Sequence, residues 1–293
     1  MTVGVLVMAY GTPRDRDDIA TYYTDIRRGR PPTPELLDDL VRRYDAIGGT
    51  FPLRAITSQQ IAVLAYALGP DYVVTLGTKH SVPRIEDGVE TLVAQGVSRI
   101  VGLVLAPHYS AFSIGEYVSR ASASGKAAGL RVDTIESWHM MPAYVSFLSG
   151  AVRDALARVP AGSEVVFTAH SLPERILATG DPYPEQLAET AAAVAASVGL
   201  DAWSVAWQSA GRTPEPWLGP DVLDVVRARA AAGAPGVVVC ACGFVADHLE
   251  VAYDLDIEVV SLANELGLPF ARTASVNDDE SVLRALASLV AER

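Results

Sequence analysis

Apolar and polar positions come in alternating blocks along the chain. Short runs rich in Val, Ile and Leu fall at residues 3–9, 72–76, 100–105 and 132–135, and again at 165–169, 203–207, 237–240 and 258–260. Runs of that length with little polar interruption predict strands covered on both faces. Between them lie stretches of helical length and spacing at 34–44, 56–68, 83–95 and 113–123, then at 184–196, 222–232, 244–254 and 279–291. Strand and helix alternating through each half predict an α/β chain of two doubly wound domains, each with a four-stranded parallel sheet. The boundary is expected in Trp138-His139-Met140-Met141-Pro142, giving domains at 1–140 and 141–293. With no Gly/Ser linker and no low-complexity tract, the halves are expected to form one body, with a ligand cleft between them.

Sheets of this kind place their chemistry at the carboxyl ends of strands. Here those ends carry Tyr10-Gly11-Thr12-Pro13, Thr78-Lys79-His80, Pro107-His108-Tyr109-Ser110 and His170-Ser171. One tyrosine or one histidine after a strand is commonly packing, but polar groups at all of these ends suggest a site. Gly11 suits a tight turn, while Thr12 and Pro13 equally suit a helix start. The segment 243–258 follows another apolar run and carries Glu250, Asp254 and Glu258 four residues apart. On a helix that spacing puts three carboxylates in a row on one flank. A solvated helix face is the commoner origin of such a row. Beginning at a strand end, this one is also placed to guide a divalent cation or lead protons away, with His170 as ligand or proton acceptor.

Charge and composition narrow the classes. The 293 residues carry a net charge of −12, which disfavours nucleic acid as a partner. Lys79 and Lys126 are the only lysines, so basic groups are almost all arginines, suited to planar carboxylates. No apolar run approaches the roughly 18 residues of a membrane helix, and no basic, signal-like leader precedes the first apolar run. A cytoplasmic protein without integral membrane contact is the expectation. Cys240 and Cys242, the only cysteines, should lie on one face of a strand as a buried, reduced pair.

Thr168-Ala169-His170-Ser171-Leu172-Pro173-Glu174 and the segment 243–258 resemble the two signature segments of ferrochelatases, which insert ferrous iron into a porphyrin. Met8-Ala9-Tyr10-Gly11-Thr12-Pro13, the segment 22–30, Arg43-Tyr44-Asp45-Ala46-Ile47-Gly48-Gly49 and Gly77-Thr78-Lys79-His80 also resemble that family, in order along nearly the whole chain. The resemblance implies that His170 and Glu250 are the central catalytic pair for metal and protons, with Asp254 and Glu258 continuing the acidic row into solvent. It implies a peripheral metal-binding role for His80, and propionate or ring contacts for Arg27, Arg43, Tyr44 and Thr50, although Phe51 stands where some relatives carry a small polar residue. Similar proteins pack each domain's final helix on the other domain, which would send 279–293 back to the first.

Tyr10 resembles the form found in enzymes that use coproporphyrin III, where the phenol lies over the ring and ligates the inserted iron. Enzymes using protoporphyrin IX generally have an apolar residue there. Coproporphyrin III, giving coprohaem in haem biosynthesis, is therefore the expected substrate together with Fe2+, and protoporphyrin IX the alternative. Some relatives hold an iron–sulfur cluster on four cysteines; two cannot, so neither a cluster nor another tightly bound cofactor is expected. Transient contact with neighbouring haem-pathway enzymes is a further expectation.

Other readings fare less well. A cobalt or nickel chelatase of the same fold usually lacks the Arg27–Arg30 and Asp247-His248-Leu249-Glu250 text. A non-catalytic porphyrin carrier would have no use for both His170 and Glu250. A serine hydrolase on Ser171 lacks a Gly-x-Ser-x-Gly elbow, and no dinucleotide fingerprint or P-loop is present.

Overall fold

The computed structural model describes residues 2–293. Its chain divides into two compact units. The first holds the chain up to Trp138 together with 246–248 and 277–293; the second holds 139–245 and 249–276. The changeover thus falls after Trp138 rather than after residue 140. The excursion at 246–248 has no counterpart in the sequence reading, and the last helix belongs with the first unit.

The first unit is built on β1 (Val3–Ala9), flanked by β2 (Tyr72–Thr78) and β3 (Arg99–Val104), with β4 (Val132–Ile135) beyond β3. All pairings are parallel. Val5, Leu6, Val7 and Met8 are wholly buried, which is why this strand reads as an unbroken apolar run. Helices α1 (Ile19–Ile26), α2 (Pro34–Ala46) and α3 (Pro52–Leu68) fill the first crossover, followed by α4 (Ile85–Ala94) and α5 (Ile114–Ala127). Leu6 and Met8 pack with Ile85, Val89 and Leu92 of α4 and with Ile114, Tyr117 and Ala121 of α5.

The second unit repeats the plan, with sheet order β6-β5-β7-β8, again all parallel. Its elements are α6 (Pro142–Leu156), β5 (Glu164–His170), a 3-10 turn at Glu174–Thr179, α7 (Tyr183–Val198), β6 (Trp203–Gln208), α8 (Val222–Ala231) and β7 (Val237–Cys240). Then come α9 (Leu249–Tyr253), a π-helical stretch (Asp254–Val259), α10 (Val260–Leu266) and β8 (Phe270–Arg272). Finally α11 (Glu280–Ala291), N-capped by Asp279 onto the Val282 amide at 3.0 Å, packs on α3 within the first unit. Buried Gln60 of α3 donates to the Asn277 carbonyl at 2.7 Å just before that helix.

Three sequence expectations are corrected. Residues 258–260 are helical, and the fourth strand is β8. Val251, Leu255 and Val259 recur at four-residue spacing, are all fully buried and join one core cluster, so helical packing overrides a locally strand-like run. The helix expected from residue 244 starts only at Leu249. Helices α1, α6 and α10 went unread.

Candidate active site

In the second unit, His170 is the last residue of β5 and Glu250 the second of α9. His170 Nε2 lies 3.5 Å from Glu250 Oε1, and each side chain is about one-third exposed. His170 Nδ1 sits against the Ser171 carbonyl, which can only accept, so Nδ1 carries a proton and Nε2 faces the carboxylate. Burial pushes the imidazole down, but Glu250, the Ser171 carbonyl and the charge of Asp254 outweigh it and raise the group to about 9. At neutral pH the pair is therefore imidazolium and carboxylate, rather than the neutral imidazole that a simple proton acceptor would present.

The acidic row needs correction. Asp254 is 6% exposed and does not point to solvent. It takes hydrogen bonds from the Ser209 hydroxyl and, at 3.4 Å, from Gln208 Nε2. Glu258 is half-buried, and the carboxylate that does reach solvent is Asp256, paired twice with Arg272 at 2.6 and 2.8 Å. Asp254 is held inward by Ser209 and Gln208, and from Asp254 to Val259 the chain is π-helical rather than α-helical. Among the described residues no group of three or more His, Cys, Asp or Glu is arranged to hold a metal ion. The row is therefore not a preformed cation cage.

The floor of this region is tightly packed. The Gly243 amide donates to the Thr168 carbonyl at 2.9 Å, and a Cβ on Gly243 would collide with Ala169. Cys240 and Cys242 are both buried free thiols, and burial raises the Cys242 thiol well above its ordinary range. The Tyr144 hydroxyl donates to the Cys242 carbonyl and the Tyr183 hydroxyl to the His170 carbonyl, the latter at 3.1 Å.

In the first unit, Tyr10 follows β1 directly and is 43% exposed. Gly11 turns the chain at φ +94°, where a side chain would meet the Ser81 hydroxyl. The Tyr10 ring packs edge-on to His80 with centroids 4.6 Å apart. His80 Nδ1 is 2.8 Å from Asp25, which Arg84 clamps through two bonds of 2.9 and 2.8 Å. Burial lowers the His80 imidazole despite Asp25, so it is neutral. Asp25 stays below the usual carboxylate range: burial would raise it, but the bonds from Arg84 and His80 prevail. With Nδ1 held by Asp25, the nitrogen His80 has for a peripheral metal is Nε2.

The substrate candidates separate into two groups. Arg43 is paired with Asp39 at 3.1 Å, and Asp39 also holds Arg42 at 2.6 Å. Tyr44, 4% exposed, stacks on Phe51 at 4.6 Å and behaves as a core residue. Thr50 is exposed and donates to the Ile47 carbonyl at 3.2 Å. Arg27 lies over the Tyr23 ring at 5.9 Å, and its Nε is buried without a hydrogen-bond partner.

Sequence reasoning passed over Asp25, Arg84, Gln208 and Ser209. The signal for Gln208 was available, since it is another polar residue at the carboxyl end of a strand.

Comparison with known proteins adds to this geometry. A family model described as Ferrochelatase matches residues 2–293. A coproporphyrin III ferrochelatase of Halalkalibacterium halodurans is 44% identical over 300 residues, spanning 99% of this chain and 97% of its own. Another, of Geobacillus thermodenitrificans, is 46% identical over 303 residues, spanning 100% and 96%. Among solved structures, the sirohydrochlorin chelatase SirB of Bacillus subtilis subspecies spizizenii in complex with cobalt superposes with a TM-score of 0.62 at 13% identity, covering 100% of this chain and 95% of that one. SirB from Bacillus subtilis with Fe3+ gives a TM-score of 0.65, also at 13% identity. At that identity the likeness is one of fold.

Proposed function

Because the chain belongs to the ferrochelatase family, we propose that it inserts Fe2+ into coproporphyrin III to give coprohaem in haem biosynthesis. The observation that carries the reading is the His170–Glu250 pair, an imidazole on a strand end beside a carboxylate on a helix start. Insertion exchanges the two pyrrole protons of the free porphyrin for one Fe2+. The residues must therefore hold the cation loosely and take up protons in turn.

The resting pair already holds one proton at Nε2, facing Glu250. That proton leaves before Nε2 can meet a metal or a pyrrole N–H. Once bare, Nε2 can take one pyrrole proton and Glu250 the other as Fe2+ replaces them on the ring nitrogens. Nδ1 remains tied to the Ser171 carbonyl throughout, so the imidazole keeps its orientation. Asp254 serves as an anchor through Ser209 and Gln208 rather than as an exit for protons. Glu258, half-buried, is the group of the row left for that exit.

In this reading Tyr10 covers one face of the ring and ligates the inserted iron. Arg27 receives a propionate, and Arg43 does so by sharing its guanidinium with Asp39. No resident cofactor is included. The two buried thiols, Cys240 and Cys242, fall short of the four that a cluster takes. Among the described residues no helix is long and apolar enough to cross a membrane. The proposal extends to a cytoplasmic location and to transient contact with neighbouring haem-pathway enzymes. An anaerobic Fe2+ insertion assay comparing coproporphyrin III with protoporphyrin IX tests it. Faster turnover of coproporphyrin III is expected. Preference for protoporphyrin IX would overturn the substrate, and porphyrin binding without insertion would make the protein a carrier.

A further inference from the structure

One buried side chain ties together the two elements that carry His170 and Glu250. Gln208 ends β6 in register beside His170 and is 1% exposed. Its main-chain carbonyl accepts the Ser171 amide at 2.7 Å, which pins the chain as it leaves His170. Its side chain reaches the other element. Nε2 donates to the Glu250 main-chain carbonyl at 3.3 Å and to Asp254 Oδ2 at 3.4 Å. Oε1 accepts from the Thr168 hydroxyl on β5 at 2.9 Å. The next residue, Ser209, stands at φ +59°, a left-handed conformation unusual outside glycine, with its hydroxyl donating to Asp254. A primary amide can donate to a helix and accept from a strand at once; an apolar side chain of the same size can fill the space but make neither bond. Both ends of the amide are satisfied in a dry setting, where such networks fix geometry most firmly.

We propose that Gln208 is a positioning residue of the insertion site, setting the separation and angle of His170 and Glu250 by tying β5 and β6 to the start of α9. The proposal rests on the reading of that pair as the site of insertion. Its physical basis is the steep dependence of rate on placement, where a displacement of about 1 Å costs on the order of 10²-fold.

The test compares Gln208→Met with the double variant Thr168→Val/Gln208→Met. The single change keeps the side chain's length but orphans the Thr168 hydroxyl, so it lowers stability whatever else it does. The double change removes that orphan and should restore much of the melting temperature. If Gln208 positions the pair, the double variant regains stability while kcat for Fe2+ insertion stays about 10²-fold down and the Kd for coproporphyrin III is unchanged. In a crystal structure of the double variant, His170 Nε2 and Glu250 Oε1 should stand farther apart than the 3.5 Å of the wild type. Recovery of kcat together with stability overturns the proposal, as does weakened porphyrin binding. A double variant that stays unstable is decided by that separation, where an unmoved pair refutes positioning. Should the wild type itself insert no iron, the functional reading fails, and the separation still decides the role of Gln208.

Discussion

An imidazole raised to about 9 beside a carboxylate behaves differently from a free base. The folded pair binds its proton more tightly than an ordinary histidine with a value of 6.5. Its contribution to stability is therefore full below about 6.5 and fades as pH rises toward 9. Glu250→Gln removes the main raising charge, so the variant's melting temperature should fall less than the wild type's between those two pH values. The same proton competes with Fe2+ for Nε2, so apparent iron affinity in the wild type should climb with pH until the imidazole is bare. In Glu250→Gln that climb should end at lower pH, with turnover still crippled, because an amide neither balances a cation nor takes a proton. His170→Ala should cost ~10²–10⁴-fold in insertion rate while porphyrin binding persists. Steady-state rates over a pH series, beside thermal melts in the same buffers, check these points together. Near-normal insertion by the alanine variant would remove His170 from the mechanism. The pair was named in sequence by the resemblance of its two segments to a known family, the strand pattern alone only suggesting a polar site there. The proton the pair holds was not legible, since that depends on a 3.5 Å distance set by side chains elsewhere.

At the scale of elements, the segment after Leu249 shows how far periodicity reaches. Val251, Leu255 and Val259, at four-residue spacing, share one buried face because the helix runs on through them. Read alone, residues 258–260 look like a strand, because β-branched and apolar residues crowd there. The fate of Asp254 was hidden for another reason: what buries it is Ser209 in a left-handed turn and Gln208 from β6, both distant in sequence. The expected consequences of mutation follow the packing rather than the row. Asp254→Ala would leave the Ser209 hydroxyl and one hydrogen of the Gln208 amide without an acceptor, at a cost of about 1–3 kcal/mol. Glu258→Gln, at a half-buried position outside that network, should stay within about 0.5 kcal/mol. Urea denaturation of both variants decides the order. A dispensable Asp254 with a costly Glu258 would mean that the anchor lies further along the π-helical stretch than the hydrogen bonds place it.

Across the whole molecule, the two sheets share one strand order, so corresponding strands invite comparison. The inner strand that opens each sheet is β1 in one and β5 in the other; Tyr10 follows the first and His170 ends the second. A repeated scaffold has thus been given a phenol in one copy and an imidazole in the other, each with a polar support of its own. Tyr10 leans on His80, which Asp25 and Arg84 hold; His170 leans on Ser171 and Glu250. The alternation of strands and helices made this plan readable, whereas the support of Tyr10 joins Asp25 to residues 55 and 59 positions away, which could not be paired from one sequence. If the two sites divide the labour as proposed, losing the phenol should spare the chemistry and alter the product. Tyr10→Phe keeps a ring against His80 and leaves the His170–Glu250 pair untouched. Iron insertion into coproporphyrin III should then continue within about tenfold, a loss of under ~1.4 kcal/mol. After air oxidation to the ferric state, the bound product should lack a phenolate-to-iron charge-transfer absorption, and the preference for coproporphyrin III over protoporphyrin IX should narrow. Absorption and resonance Raman spectra of the product complex, with rates on both porphyrins, read this out. An unchanged spectrum and unchanged selectivity would reduce Tyr10 to a packing partner of His80.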